Sequence, residues 1–224
     1  MLKTPRRPWS FHNLLFWLLF YQLVSPVLFS MPSARVIVSL LFSGLLFSTV
    51  YIINKGSKIF ISTIFLMGLT LLLFWMDVFN LVSFSLGMSS AILCLYLGLI
   101  VYVLSSLIFS ARHITPALIS GALCLYLLFG MFWGMVYVLL ELLHPGSFVG
   151  ALLIDPVSHS QFIHSFQYFS LITLTTLGYG DIVPHTATAA AFCQTEAVIG
   201  QFFMAVLVAR LVGIQVAAEF GANR

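Results

Sequence analysis

The chain has 224 residues, 61% of them hydrophobic and 7% charged, with a formal net charge of +3. No soluble domain of this length needs that much apolar surface, which argues against a cytosolic enzyme or a nucleic-acid partner. An all-α integral membrane protein with several helical spans is expected.

Six apolar segments predict spanning helices in chain order: Trp9–Ser30, Val36–Ile53, Ile59–Met76, Phe84–Ser110, Ile114–Leu143 and Thr186–Ala218. A span needs about 20 residues, so Ile59–Met76 is marginal. Lys3, Arg6 and Arg7 precede the first segment in the manner of a secretory signal. Its apolar run is longer than the roughly 7–15 residues of a signal core, and more spans follow, so a retained anchor is expected. Pro26 is expected to kink or end that helix. Cys94, Cys124 and Cys193 all fall inside apolar stretches and read as small core residues. A seventh segment, Gln161–Thr175, is too short to span and predicts a re-entrant helix. The five residues after Glu219 are too few for a ligand-binding module.

Cations set the expected orientation. With both termini in the cytoplasm, Lys3, Arg6, Arg7, Lys55, Lys58, Arg112, Arg210 and Arg224 fall on or near the inner side, and Arg35 alone lies outside. That is a strong positive-inside bias.

Between the re-entrant segment and the last span runs Thr175-Thr176-Leu177-Gly178-Tyr179-Gly180-Asp181. Two glycines separated by one residue let successive carbonyls face the same side, because glycine adopts backbone angles that a Cβ forbids. Stacked carbonyl rings can replace the water that a potassium ion sheds. The stretch resembles the selectivity filter of the potassium-channel family, Thr-Val-Gly-Tyr-Gly-Asp, with Leu177 at the Val position. The resemblance covers about Ile114 to Arg224. It implies a pore domain over 114–224, made of an outer helix, a pore helix, a filter and an inner helix, and a four-span domain over 1–113. It also implies a homotetrameric pore in the lipid bilayer, with potassium as the permeant ion and no cofactor.

By that resemblance Thr176, Leu177, Gly178, Tyr179 and Gly180 form the ion sites, with potassium bound at the first four. Tyr168 and Phe169 would surround the Tyr179 ring as an aromatic cuff, and Tyr168 could reach Asp181 at the outer mouth. The pore helix would aim its negative dipole end at a central cavity. Asp181 concentrates cations at the entrance or serves as a turn residue; both readings stand. Ile172 occupies a place where some relatives carry a carboxylate. Gly200, twenty residues beyond Gly180, matches the hinge glycine of the inner helix. Close packing on the pore helix explains it as well as a bend does. Gln201, Met204, Val208, Val212 and Val216 would line the cavity and gate, although their spacing is that of any buried helix.

Glu196 interrupts the last span and lies one helical turn before Gly200, on the same face. It is read as a filter support bonded to the pore helix and held in its protonated form, against the alternative of a solvated outer carboxylate. His144, His159, His164 and His185 lie on the expected outer side as solvated loop residues or as proton sensors. Phe84–Ser110 contains no Arg or Lys, so conventional voltage sensing by the first four spans is not expected. They are a charge-free relic of a sensor or an unrelated scaffold.

The functional expectation is passive potassium conduction by a multi-pass protein of a bacterial inner membrane, without enzyme activity. A non-selective cation channel and a non-conducting accessory subunit share this architecture, and relatives of the first kind typically lack the filter Tyr.

Overall fold

A computed structural model describes residues 9–28, 35–53, 58–79, 86–111, 114–153 and 159–222. The elements are α1 (Trp9–Leu28), α2 (Arg35–Val50), α3 (Lys58–Val78), α4 (Leu86–Ser110) and α5 (Pro116–Leu143). Then follow β1 (Phe148–Gly150), a 3-10 turn (Ala151–Leu153), α6 (His159–Leu174), β2 (Ile182–Pro184) and α7 (Ala187–Ala222). The side chains of Lys3, Arg6, Arg7, Arg35, Lys55, Lys58, Arg112, His159 and Arg224 lie outside the described residues.

Among the described residues five helices, α1, α3, α4, α5 and α7, are long and apolar enough to cross a membrane. The remaining expected segment, Val36–Ile53, is helical but shorter, because α2 has 16 residues. That is about 24 Å of helix against a hydrocarbon core of about 30 Å. The chain turns after Val50, where the Ile52 and Ile53 N–H groups donate to the Thr49 and Val50 carbonyls. Pro26 lies inside α1, two residues before its end at Leu28. The architecture is all-α and integral to the membrane, with one addition that the composition did not announce. β1 and β2 form an antiparallel pair, Phe148 opposite Pro184 and Gly150 opposite Ile182.

Successive helices pack on one another from α1 to α4, and α4 and α1 both pack on α5. Helices α6 and α7 pack on α5 as well. Thr115 starts α5 by accepting from the Leu118 N–H, with Pro116 at the first turn. Sixteen residues of α5 are buried, including Leu125, Leu128, Met131, Tyr137 and Val138. Phe11 of α1 packs where a Cβ on Gly121 would sit. Higher up, the Tyr21 hydroxyl meets His164 Nε2 of α6 at 3.0 Å. Helix α1 therefore touches both α5 and α6.

Candidate functional site

Helix α6 is held close to α5 by two glycines. A Cβ on Gly134 would lie 2.9 Å from the Gln167 Cα, and one on Gly130 would lie 2.6 Å from a Leu171 methyl. Small residues at i and i+4 let two apolar helices approach at backbone distance. The Tyr126 hydroxyl donates to the Leu174 carbonyl at 3.2 Å, anchoring the last residue of α6 about 15 Å along α5. The short helix expected over Gln161–Thr175 thus forms, over His159–Leu174.

Helix α6 ends in a Schellman motif. The Thr176 N–H donates to the Thr173 carbonyl, and the Leu177 N–H reaches back to Ile172 at 2.9 Å. Thr176 takes the left-handed position with φ of 59°. Gly178 and Gly180 follow with φ of 54° and 80°, while Leu177 and Tyr179 do not share that sign. Handedness therefore alternates along the stretch. Glycine at 178 and 180 was legible, but a β-branched residue with positive φ at 176 was not. Such a residue is a genuine outlier, of a kind that persists only where its surroundings dictate it.

All of 175–180 is exposed in the single chain, Leu177 at 55% and Tyr179 at 68%. The expected cuff does not close within the chain. Phe169 is buried instead against Tyr137 and Phe148, with ring centroids 5.3 and 5.5 Å away. Tyr168 behaves as expected and donates to Asp181 Oδ2 at 2.7 Å, while Asp181 Oδ1 accepts from the Ile182 N–H. The strand pair fixes this exit: a Cβ on Gly150 would fall 2.2 Å from the Asp181 carbonyl oxygen. Glu141, unremarked in the sequence, caps the approach by accepting from the Gly146 and Phe148 N–H groups at 2.7 and 2.9 Å.

Helix α7 runs unbroken through Gly200. A Cβ there would lie 2.4 Å from a Leu174 methyl, so Gly200 sits in close packing on the end of α6. Gln201, Val208, Val212 and Val216 are exposed in the single chain and Met204 is half-buried. Glu196 is fully enclosed, which replaces the solvated alternative. Its Oε2 accepts from the Tyr137 hydroxyl of α5, and its Oε1 lies at the same 2.5 Å from Ser170 Oγ of α6. Neither partner was identifiable from spacing, since they lie 59 and 26 residues away in the sequence.

His164 is half-buried against Tyr21, whereas His144 and His185 are exposed. Arg210 donates to the Ala111 carbonyl just beyond α4 at 2.8 Å and lies over the Phe109 ring. A cation at a helix carbonyl end is favourably placed.

Residues 121–214 match the family model described as ion channel, a stretch that begins in α5 and ends in α7. Over that stretch the chain is similar to ion channels, and the match supports ion-channel function in an integral membrane protein. No curated protein and no solved structure matches the chain.

Proposed function

We propose that the chain is the subunit of a homotetrameric, potassium-selective channel that passes its ion passively. The observation that carries this reading is the alternation of backbone handedness at Thr176, Gly178 and Gly180 in an exposed stretch. Alternation turns successive peptide planes so that the carbonyls of Thr176, Leu177, Gly178 and Tyr179 align on one side. Irregular backbone facing lipid would leave its polar groups unpaired, so such a stretch belongs beside a filled path. One copy per chain supplies one wall, and four chains close a ring of oxygens that stands in for hydration water.

Burial supports the assembly. Within their apolar windows 61% of α5 residues are buried but only 11% of α7 residues, which leaves α7 free to line a shared axis. On this reading Gln201, Met204, Val208, Val212 and Val216 face the cavity and inner gate, and Asp181 forms an acidic ring outside. The Tyr179 rings pack against neighbouring subunits. The protein has six spans, α2 included, with both termini in the cytoplasm of a bacterial plasma membrane. It takes no resident cofactor and performs no catalysis.

The test is a reversal-potential measurement on purified protein in liposomes with opposed potassium and sodium gradients. A reversal near the potassium equilibrium potential is expected. Equal passage of sodium, or a monomer in native mass measurement, overturns the proposal.

A further inference from the structure

Glu196 stands where α5, α6 and α7 meet, and the number of hydrogens available there is limited. Three oxygen–oxygen contacts run in sequence: Tyr137 Oη to Glu196 Oε2, Glu196 Oε1 to Ser170 Oγ, and Ser170 Oγ to the Gly130 carbonyl at 2.7 Å. Each contact needs one proton. The two hydroxyls supply one each and the carbonyl supplies none. With Glu196 ionised, Ser170 must donate either to the carboxylate or to Gly130, and the other contact then sets lone pair against lone pair. With Glu196 protonated every contact is filled in one direction: Tyr137 donates to Oε2, Oε1–H donates to Ser170, and Ser170 donates to Gly130.

The surroundings point the same way. Glu196, Ser170 and Tyr137 are each fully enclosed. The titratable groups that face the carboxyl are Tyr137 and Tyr126 of α5 and Cys193 of α7, with the Cys193 thiol also bonded to Tyr137. None of them carries positive charge. Arg210, the one cation whose side chain is described, lies fourteen residues further along α7, about 21 Å away. An enclosed carboxylate with no counter-charge is costly, whereas a satisfied neutral network rigidifies what it joins.

We propose that Glu196 is held as the neutral acid and acts through Ser170 as the positioning residue that ties α6 to the α5 backbone. The tie falls at Gly130, one of the two glycines along which the helices pack, and four residues before α6 ends at Leu174. It thereby sets the height and rotation from which the following stretch departs. That consequence rests on the channel reading given above; the proton assignment does not.

Infrared spectroscopy of the reconstituted protein tests the assignment directly. A carboxylic-acid carbonyl band is expected that persists from mildly acidic to mildly alkaline buffer and disappears in Glu196→Gln. Its absence from the wild-type protein overturns the proposal, whether or not ions pass. Hydrogen exchange of the α6 amides tests the positioning. Gln is neutral, donates to Ser170 and accepts from Tyr137, so Glu196→Gln keeps wild-type protection and potassium flux. Glu196→Ala and Ser170→Ala raise α6 exchange and lower flux about tenfold, the factor that one buried hydrogen bond carries. Exchange in Glu196→Gln that rises as far as in Glu196→Ala shows that the charge matters, and sinks the idea. Unchanged exchange in Glu196→Ala does the same. Failure of the channel reading alone would instead appear as a wild-type protein with the band and the protection but no flux.

Discussion

The two halves of the molecule satisfy their buried polar groups in different ways. In the front half most hydroxyls bond within their own helix: Ser43 to Ser39, Thr63 to Ile59, Thr70 to Leu66 and Ser105 to Val101, each through the carbonyl one turn back. In the rear half that local pattern recurs, as in Thr173 to Phe169 and Thr195 to Ala191, but other hydroxyls reach between elements: Tyr126 to Leu174, Tyr137 and Ser170 to Glu196, and Tyr168 to Asp181. A bond to one's own helix fixes nothing but a rotamer, whereas a bond to another element fixes a position. The front half is therefore a scaffold tolerant of small shifts, and the rear half a jig that holds the 175–181 backbone in place. The front half has cross-links too: Trp75 donates to Ser43, Asn13 to Ser48, and Tyr96 meets Thr49.

That contrast predicts a ladder of effects. The largest is expected from Gly178→Ala, which places a Cβ at φ of 54° and costs about 1–3 kcal/mol locally. Potassium flux into liposomes should vanish while the oligomer survives in detergent, and retained flux would break the site assignment. Next is Gly134→Leu, whose side chain must displace the Gln167 backbone 2.9 Å from the new Cβ. Overpacking of about 1–3 kcal/mol should lower the unfolding temperature and the flux together.

Tyr168→Phe removes the donor to Asp181 but leaves the ring. A bond to an ionised acceptor contributes about 1.5–3 kcal/mol when shielded and less in the half-buried setting of Tyr168. Conduction should persist, with currents that decay faster during sustained opening; identical decay would show that Asp181 needs no such tie. The smallest effect is expected in the front half. Thr63→Ala deletes only a bond to Ile59 and should change stability by less than about 0.5 kcal/mol, with flux unaltered. A strong loss there would erase the distinction between scaffold and jig. Conductance should also vary little with voltage, because α4 carries no Arg or Lys. A steep activation curve would give the front half an active part.

Whatever depends on near neighbours in the chain was legible. Hydropathy located the helices, and Gly-x-Gly announced the left-handed backbone at 178 and 180 because glycine is the residue that adopts it freely. The bond from Tyr168 to Asp181 was anticipated from the resemblance to the potassium-channel filter. Thr176 escaped because its handedness comes from the way α6 ends, and threonine on its own favours the opposite sign. The partners of Glu196 escaped because Gly130 and Gly134 must first bring α5 and α6 together. The contacts of Phe169 with Tyr137 and Phe148 were not legible, since they join residues of different elements. Helix α2 was drawn too long because Tyr51–Ile53 is as apolar as the helix before it, and hydropathy cannot see a turn.

The grip of α1 on α5 and α6 makes that helix a splint. Phe11 fills the notch at Gly121 and Tyr21 braces His164. Stripping it away would bare one flank of α5 and unfasten the outer part of α6 in a single cut, so the anchor and the aperture stand or fall as one piece.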